Sequence, residues 1–374
     1  MNRAGRDREL LWVSLPDQRP RRELFYMSLM PQTNVTALAA TEPVGDIRWI
    51  QSTYRRPIKR FIEAGALAWV REIDDLSPND FDWVASLELC SLVTGQAAKW
   101  RRSNPKTLQA VITWENLANQ PIYKVPPYRQ ALESCRRAEL LLCMVDAARD
   151  HLLENRFSDD AIRVVKPGVD TDVFTPPSTR TDQPVVAFIS PLAPNKGIDR
   201  LLSAMALVRK SIPQARLVVA GTGPLEPMVR AAAEDPAQQV TLVGGLDAHG
   251  VADLLRNSAV FTTAPRPTWK WEEQFGLAYI EAQACGLPVV TTECGSNYEA
   301  LAAGNSLLKV SPKDADAQIE ALAAELIDWL NNPLKRQTQG DANRDWVVAN
   351  HDLRTQTARM GEAFAEIERI HGVR

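Results

Sequence analysis

From Val185 to Thr292, short runs of apolar and β-branched residues return at regular intervals, with helix-patterned segments between them. The runs are Val185–Ile189, residues 217–220, Val240–Gly244, residues 259–262 and Val289–Thr292. Between the first two, Leu201, Leu202, Met205 and Val208 recur at helical spacing, and Asp253-Leu254-Leu255 marks another helix. A strand that is apolar on both faces must be covered on both faces. Such strands alternating with helices therefore predict a parallel, doubly wound α/β sheet, with ligands at the carboxyl ends of its strands.

The first half carries a looser version of the pattern. Residues 10–13, 82–86, Leu108–Thr113 and 140–144 read as strands, and Asp146–Glu154 reads as a helix. No glycine-rich phosphate loop follows the first strand, where Ser14-Leu15-Pro16-Asp17 stands, which argues against a nucleotide site in this half. A chain of 374 residues fits two domains. The expected division is 1–170 and 171–354, with a polar linker at 178–184 and an amphipathic last helix over about 352–370.

Residues 272–290, EEQFGLAYIEAQACGLPVV, hold the densest chemistry. Leu277, Ile280 and Ala284 recur at helical spacing, Gly286 stands where a helix C-cap glycine belongs, and Pro288 forbids continuation. Glu273 then lies in the loop before the helix and Glu281 inside it. The free N–H groups at the helix start, near Gly276 and Leu277, form an anion site that glycine lets a phosphate approach. Carboxylates on either side accept hydrogen bonds from sugar hydroxyls. The plainer alternative is two surface carboxylates around an amphipathic helix.

Glu273, Phe275-Gly276 and Glu281-Ala282, with seven residues between the glutamates, resemble the donor-site motif of the family 4 (group 1) retaining glycosyltransferases. That resemblance implies the GT-B fold: two Rossmann-like doubly wound domains facing a central cleft, with the C-terminal helix (about 355–374) crossing back to the first domain. It implies that Glu273 contacts the transferred sugar and Glu281 the ribose, with Gln274, Phe275, Gly276 and Leu277 shaping the donor pocket and Gly244 near the base. Asn195-Lys196-Gly197 matches the loop whose lysine binds the donor diphosphate, a role suited to a flexible point charge. Where the family commonly has Gly-Arg five residues earlier, this chain has Ser190-Pro191, which leaves Lys196, backbone N–H groups and Arg266 or Lys270 to serve. Pro167-Gly168-Val169-Asp170 with Phe174 matches a structural hinge motif. Gly221-Thr222-Gly223-Pro224 resembles the family's Gly-x-Gly-Pro turn, which a plain tight turn explains equally well.

In the first half, Glu88 and Trp114-Glu115-Asn116 follow strands, where many relatives carry histidines. They are acceptor-side candidates, with Glu115 the general-base candidate. Alternatively, Glu88 and Glu115 pair with arginines such as Arg101 or Arg129. The resemblance implies transfer from a nucleotide-sugar donor to a sugar, glycolipid or small-molecule hydroxyl, with no cofactor and no metal. The alternatives are a GT-B epimerase or phosphorylase, and a non-catalytic subunit that binds nucleotide sugar or a partner.

Composition narrows the rest. Net charge is −3, and residues 1–170 carry 24 Lys+Arg against 22 Asp+Glu, too small a basic excess for nucleic acid. Local basic clusters at 55–60 and at Lys99, Arg101, Arg102 and Lys106 are either solvated surface or an acceptor or anionic-membrane face. The five cysteines lack CxxC spacing and the four histidines lack metal-ligand spacing. With no apolar run of membrane-spanning length and no signal-type segment in MNRAGRDREL, the expectation is cytoplasmic, with peripheral membrane association as an extension.

Overall fold

The computed structural model describes residues 6–15, 23–55, 69–117, 121–269 and 271–373. The chain divides into two compact units, 1–166 with 354–374 and 167–353.

In the first unit, seven strands form one parallel sheet: β1 (Arg8–Val13), β2 (Thr33–Ala39), β3 (Arg48–Gln51), then, after a small antiparallel ribbon of β4 (Tyr54–Arg55) and β5 (Trp69–Val70), β6 (Trp83–Leu87), β7 (Leu108–Thr113), β8 (Leu140–Cys143) and β9 (Ile162–Val164). Their order is β3-β2-β1-β6-β7-β8-β9, so the chain reverses its direction of travel at β1. Helices α1 (Glu23–Ser28), α2 (Leu92–Trp100), α3 (Pro126–Cys135) and α4 (Asp146–Glu154) are among the connections. Leu11, Val13, Leu38, Val84, Val93 and Ala97 form one buried cluster on this sheet.

The second unit repeats the plan. Its six parallel strands are β10 (Val185–Ile189), β11 (Arg216–Ala220), β12 (Val240–Gly244), β13 (Val260–Thr263), β14 (Val289–Thr292) and β15 (Ser306–Leu308), in the order β12-β11-β10-β13-β14-β15. The helices are α5 (Ile198–Ser211), α6 (Glu226–Glu234), α7 (Ala248–Arg256), α8 (Leu277–Ala284), α9 (Ala315–Asn331) and α10 (Pro333–His351). Val186, Phe188 and Val219 pack against Leu201, Met205 and Val208 of α5 and Leu322, Leu326 and Trp329 of α9. Gly286 has φ +74° just past α8, as a helix-ending glycine should. The sequence marks β10 through β14, and β15 extends the sheet by one strand beyond them.

The unit division falls at Lys166, four residues before the expected 170. The reason is a short ladder inside the second unit. Val169 N–H donates to the His351 carbonyl, Leu353 N–H donates to the Val169 carbonyl, and a Cβ on Gly168 would lie 2.7 Å from Leu353 Cα. The hinge motif is thus structural: Asp170 Oδ1 accepts the Asp172 and Val173 N–H groups, and Phe174 is buried.

The last helix, α11 (Leu353–Ile370), groups from Arg354 onward with the first unit. Its buried face carries Thr357, Met360, Ala363, Phe364 and Ile367. Glu368 is buried there and receives Arg8 Nε at 2.7 Å, Arg8 Nη2 at 3.1 Å and Trp83 Nε1 at 2.8 Å. No helix among the described residues is long and apolar enough to cross a membrane.

Candidate functional site

β10 lies between β11 and β13, so the connections leaving β10 and β13 diverge at their carboxyl ends and open a crevice there. Two loops fill its edge, 190–197 after β10 and 264–276 after β13. They are stitched together by backbone bonds from Ala264 N–H to the Lys196 carbonyl and from Arg266 N–H to the Asn195 carbonyl. A Cβ on Gly197, whose φ is +75°, would fall 1.9 Å from the Ala264 carbonyl oxygen, so only glycine permits this approach. The Gly221-Thr222-Gly223 turn closes against the same loop, its Thr222 carbonyl accepting Leu192 N–H at 2.9 Å. Close backbone approach accounts for that motif.

The loops bring Lys196 and Glu273 together. Lys196 Nζ donates to Glu273 Oε2 at 2.6 Å, and both side chains are largely buried, at 16% and 13% exposure. Lys196 Nζ also lies 4.4 Å from the centroid of the Trp271 ring, a cation–π contact that orients the ammonium. Three residues after Glu273, Gly276 adopts φ +87° and begins α8 with no side chain capping it. The Leu277 and Ala278 N–H groups at the start of α8 thus have no side-chain cap from Gly276, beside the Lys196–Glu273 pair.

A buried polar network beneath holds the motif loop. Tyr279 Oη shares hydrogen bonds with Thr263 Oγ1 (2.7 Å) and Thr291 Oγ1 (2.9 Å), and Asn297 Nδ2 donates to the Thr292 carbonyl at 2.9 Å. Burial, then the Glu273 charge, pushes the Tyr279 phenol up, so it keeps its proton for donation. Ser296 N–H donates to the Glu273 carbonyl and Ser296 Oγ to the Gln274 carbonyl. Ser296 and Asn297 fall in Gly295-Ser296-Asn297-Tyr298-Glu299, which resembles the Gly-Gly-x-x-Glu stretch of the group 1 glycosyltransferases, whereas Thr263, Tyr279 and Thr291 escape sequence reasoning. The one available signal is a tyrosine on the apolar face of a short helix between threonine-ended strands.

Glu281 is half-buried on α8 and has no ion-pair partner among the described residues. Burial raises its carboxyl to about 7. Gly244 ends the edge strand β12 with φ +75° and open space where a Cβ would stand. Gln274 and Leu277 are half-buried at the loop and helix start.

Two donor-side expectations need correction. Phe275 is 1% exposed and packs on His351 at a ring distance of 5.5 Å, so only its backbone is left for a ligand. Arg266 does not replace the missing arginine: its guanidinium is held by both carboxylate oxygens of Asp199 at 3.0 Å. Lys270 lies outside the described residues.

In the first unit, Glu88 and Glu115 follow the carboxyl ends of β6 and β7. Glu88 holds the strained φ of +66° and accepts from Thr113 Oγ1 at 3.0 Å and Trp114 N–H at 3.4 Å. Burial first, then the Glu115 charge, raises its carboxyl to about 8 against the opposing effect of those bonds. Glu115 Oε1 accepts Leu117 N–H, and Asn116 is half-buried beside it. The Trp114 side chain is not an acceptor contact, being buried with Nε1 donating to Glu23 at 2.6 Å. Arg101 does not pair with Glu88; it binds Glu139 at 3.0 Å. Of the basic cluster at 55–60, residues 56–60 lie outside the described residues. Among the described residues, no group of three or more His, Cys, Asp or Glu forms a metal-ligand set.

Two doubly wound parallel-sheet units define the GT-B fold. Solved structures with this fold match nearly the whole chain. Anabaena Alr3699/HepE in complex with UDP aligns with a TM-score of 0.73 at 15% identity, covering 96% of this chain and 100% of that one. WaaG, a glycosyltransferase involved in lipopolysaccharide biosynthesis, aligns at 0.66 and 15% identity, covering 94% and 98%. Residues 171–346, most of the second unit, match the family model of the glycosyl transferases group 1. A relative from Mycolicibacterium smegmatis, GDP-mannose-dependent alpha-(1-6)-phosphatidylinositol monomannoside mannosyltransferase, is 33% identical over 55% of this chain and 56% of its own length. D-inositol 3-phosphate glycosyltransferase of the same organism is 33% identical over 54% and 49%. The chain thus spans about half the length of the curated relatives it matches.

Proposed function

We propose that this protein is a retaining glycosyltransferase that moves a hexose from a nucleoside-diphosphate sugar to a hydroxyl acceptor without a metal ion. The observation that carries the reading is the buried Lys196–Glu273 pair beside the uncapped start of α8. Cleaving the anomeric C–O bond builds negative charge on the departing diphosphate. Lys196 and the α8 N–H groups are placed to receive that charge, the work a divalent cation does elsewhere. Glu273 holds the sugar through its hydroxyls, a positioning role. Retention follows from front-face attack, in which the departing phosphate oxygen takes the acceptor proton. Glu115 of the first unit is the competing candidate for that proton, as a general base in place of the phosphate oxygen. Glu88, raised to about 8, is largely protonated near neutrality and can donate to an acceptor oxygen.

GDP-mannose is the first donor to test, because relatives are named for it, with UDP-glucose as comparison. Purified protein with each donor and a panel of hydroxyl acceptors should release GDP or UDP only with acceptor present. Donor rearrangement, or binding without turnover, would replace the proposal with an epimerase or a non-catalytic subunit. EDTA should leave the rate unchanged, and a strict Mg²⁺ requirement would overturn the metal-free mechanism.

Glu281 gives the reading a pH signature. Its ionised form accepts the ribose hydroxyls, so nucleotide binding favours deprotonation. With the free carboxyl at about 7, nucleoside diphosphate should bind more tightly as pH rises from 6 to 8, releasing a proton near neutrality. Calorimetry in buffers of different ionisation enthalpy reads that proton. Glu281→Gln should remove it, and a wild-type protein that releases none would exclude Glu281 as the ribose ligand.

A further inference from the structure

A cavity of about 900 Å³ lies in the first unit, between the end of α2 and one face of α3. It is lined by Arg102, Lys124, Arg129 and Arg137, and none of these has an ion-pair partner among the described residues. The two carboxylates on its wall are already neutralised. Glu139 holds Arg101 at 3.0 Å and accepts Gln109 N–H, and Glu133 pairs with Arg136 at 3.1 Å. Four uncompensated cations therefore ring one cavity in a chain of net charge −3. Their mutual repulsion is a standing cost that a bound anion would relieve.

Within the first unit, the cavity lies apart from Glu88 and Glu115. Gln109 is the second residue of β7 and Glu139 directly precedes β8, so the cavity opens at the amino ends of these strands. Glu115 lies six residues, about 20 Å, beyond Gln109, and Glu88 lies four residues, about 13 Å, beyond the β6 residue Val84 that pairs with Gln109.

Arg129, Gln130 and Ser134 line the cavity from α3, and Arg137 lines it from the turn that follows. Extended Arg129 and Arg137 side chains can converge on one phosphate or engage two. Arginine forks bind phosphate and carboxylate oxygens bidentately, and a phosphate brings the larger charge to four cations. We propose that this cavity binds a ligand carrying one or more phosphate groups, at a site separate from the acceptor-side residues Glu88 and Glu115. The phosphates can belong to a soluble phosphorylated molecule or to anionic lipid headgroups.

The test uses the full chain and the variant Arg129→Gln/Arg137→Gln, both positions being exposed and without side-chain bonds. Lys210→Gln/Lys313→Gln, on the second unit, matches the change in net charge. One arm titrates inositol hexakisphosphate by calorimetry. The other co-sediments the protein with phosphatidylglycerol-containing vesicles or with vesicles of phosphatidylcholine alone. Wild type and the lysine control should bind at least one anionic probe, more weakly at higher salt. The arginine variant should lose tenfold or more while its response to nucleoside diphosphate stays at wild type. Binding of the hexakisphosphate alone identifies a soluble ligand, and binding of anionic vesicles alone identifies headgroups. Wild type binding neither probe, or the arginine variant binding like wild type, overturns the site.

Discussion

Glu273→Ala should lower sugar transfer by about two to three orders of magnitude while the protein unfolds at its wild-type temperature, the size of loss seen when one preorganised polar contact to a reacting group is removed. The carboxylate faces Lys196 at the edge of the crevice and is not part of a hydrophobic cluster, so its loss opens little core. The same substitution releases Lys196 from its 2.6 Å partner. Affinity for nucleoside diphosphate should therefore hold or improve even as transfer fails. A variant that merely distorted the loop would lose both. Steady-state rates with saturating donor, set beside calorimetric nucleotide affinity, separate these cases. Turnover within a few-fold of wild type would remove Glu273 from the mechanism.

That pair shows how far sequence reaches. Lys196 and Glu273 are each recognisable within a local motif, because the loops carrying them follow apolar runs that can only be buried parallel strands. Their contact across 77 residues follows from strand order, which adjacent runs do not encode. The strands that periodicity passes over have physical reasons to be faint. β9 and β15 are three residues long, β15 is half-buried throughout, and β2 opens on the polar pair Thr33-Asn34. Motif matching also overreaches at Phe275 and Trp114. It assigns them by position to ligand contact, whereas burial against His351 and pairing with Glu23 commit their side chains elsewhere. An aromatic at a strand or helix end satisfies both descriptions in sequence, and only packing separates them.

Glu368→Ala should destabilise the first unit by about 3–5 kcal/mol, the cost of removing one partner of a buried ion pair. Arg8 and Glu368 are 4% and 2% exposed, and the carboxylate takes two guanidinium N–H groups and the Trp83 indole N–H. After the substitution Arg8 keeps its bond to Thr33 Oγ1, but its charge is uncompensated and Trp83 Nε1 loses its acceptor. Trp83 and Phe364 meet edge to face at 4.6 Å, so the same change loosens the apolar seam that docks α11 on β6. Against a typical total of about 5–15 kcal/mol, such a loss leaves α11 frayed or detached at modest temperature. The internal control is the neighbouring Arg163–Glu366 pair, whose carboxylate is 45% exposed. Glu366→Ala should cost under about 1 kcal/mol, as exposed pairs do. Urea unfolding followed by tryptophan fluorescence, with limited proteolysis near residue 354, measures both. Equal midpoints for the two variants would mean that the buried pair does not anchor the helix. Arg8→Leu/Glu368→Leu should recover part of the loss, because it removes both charges together and leaves only the Trp83 N–H without a partner.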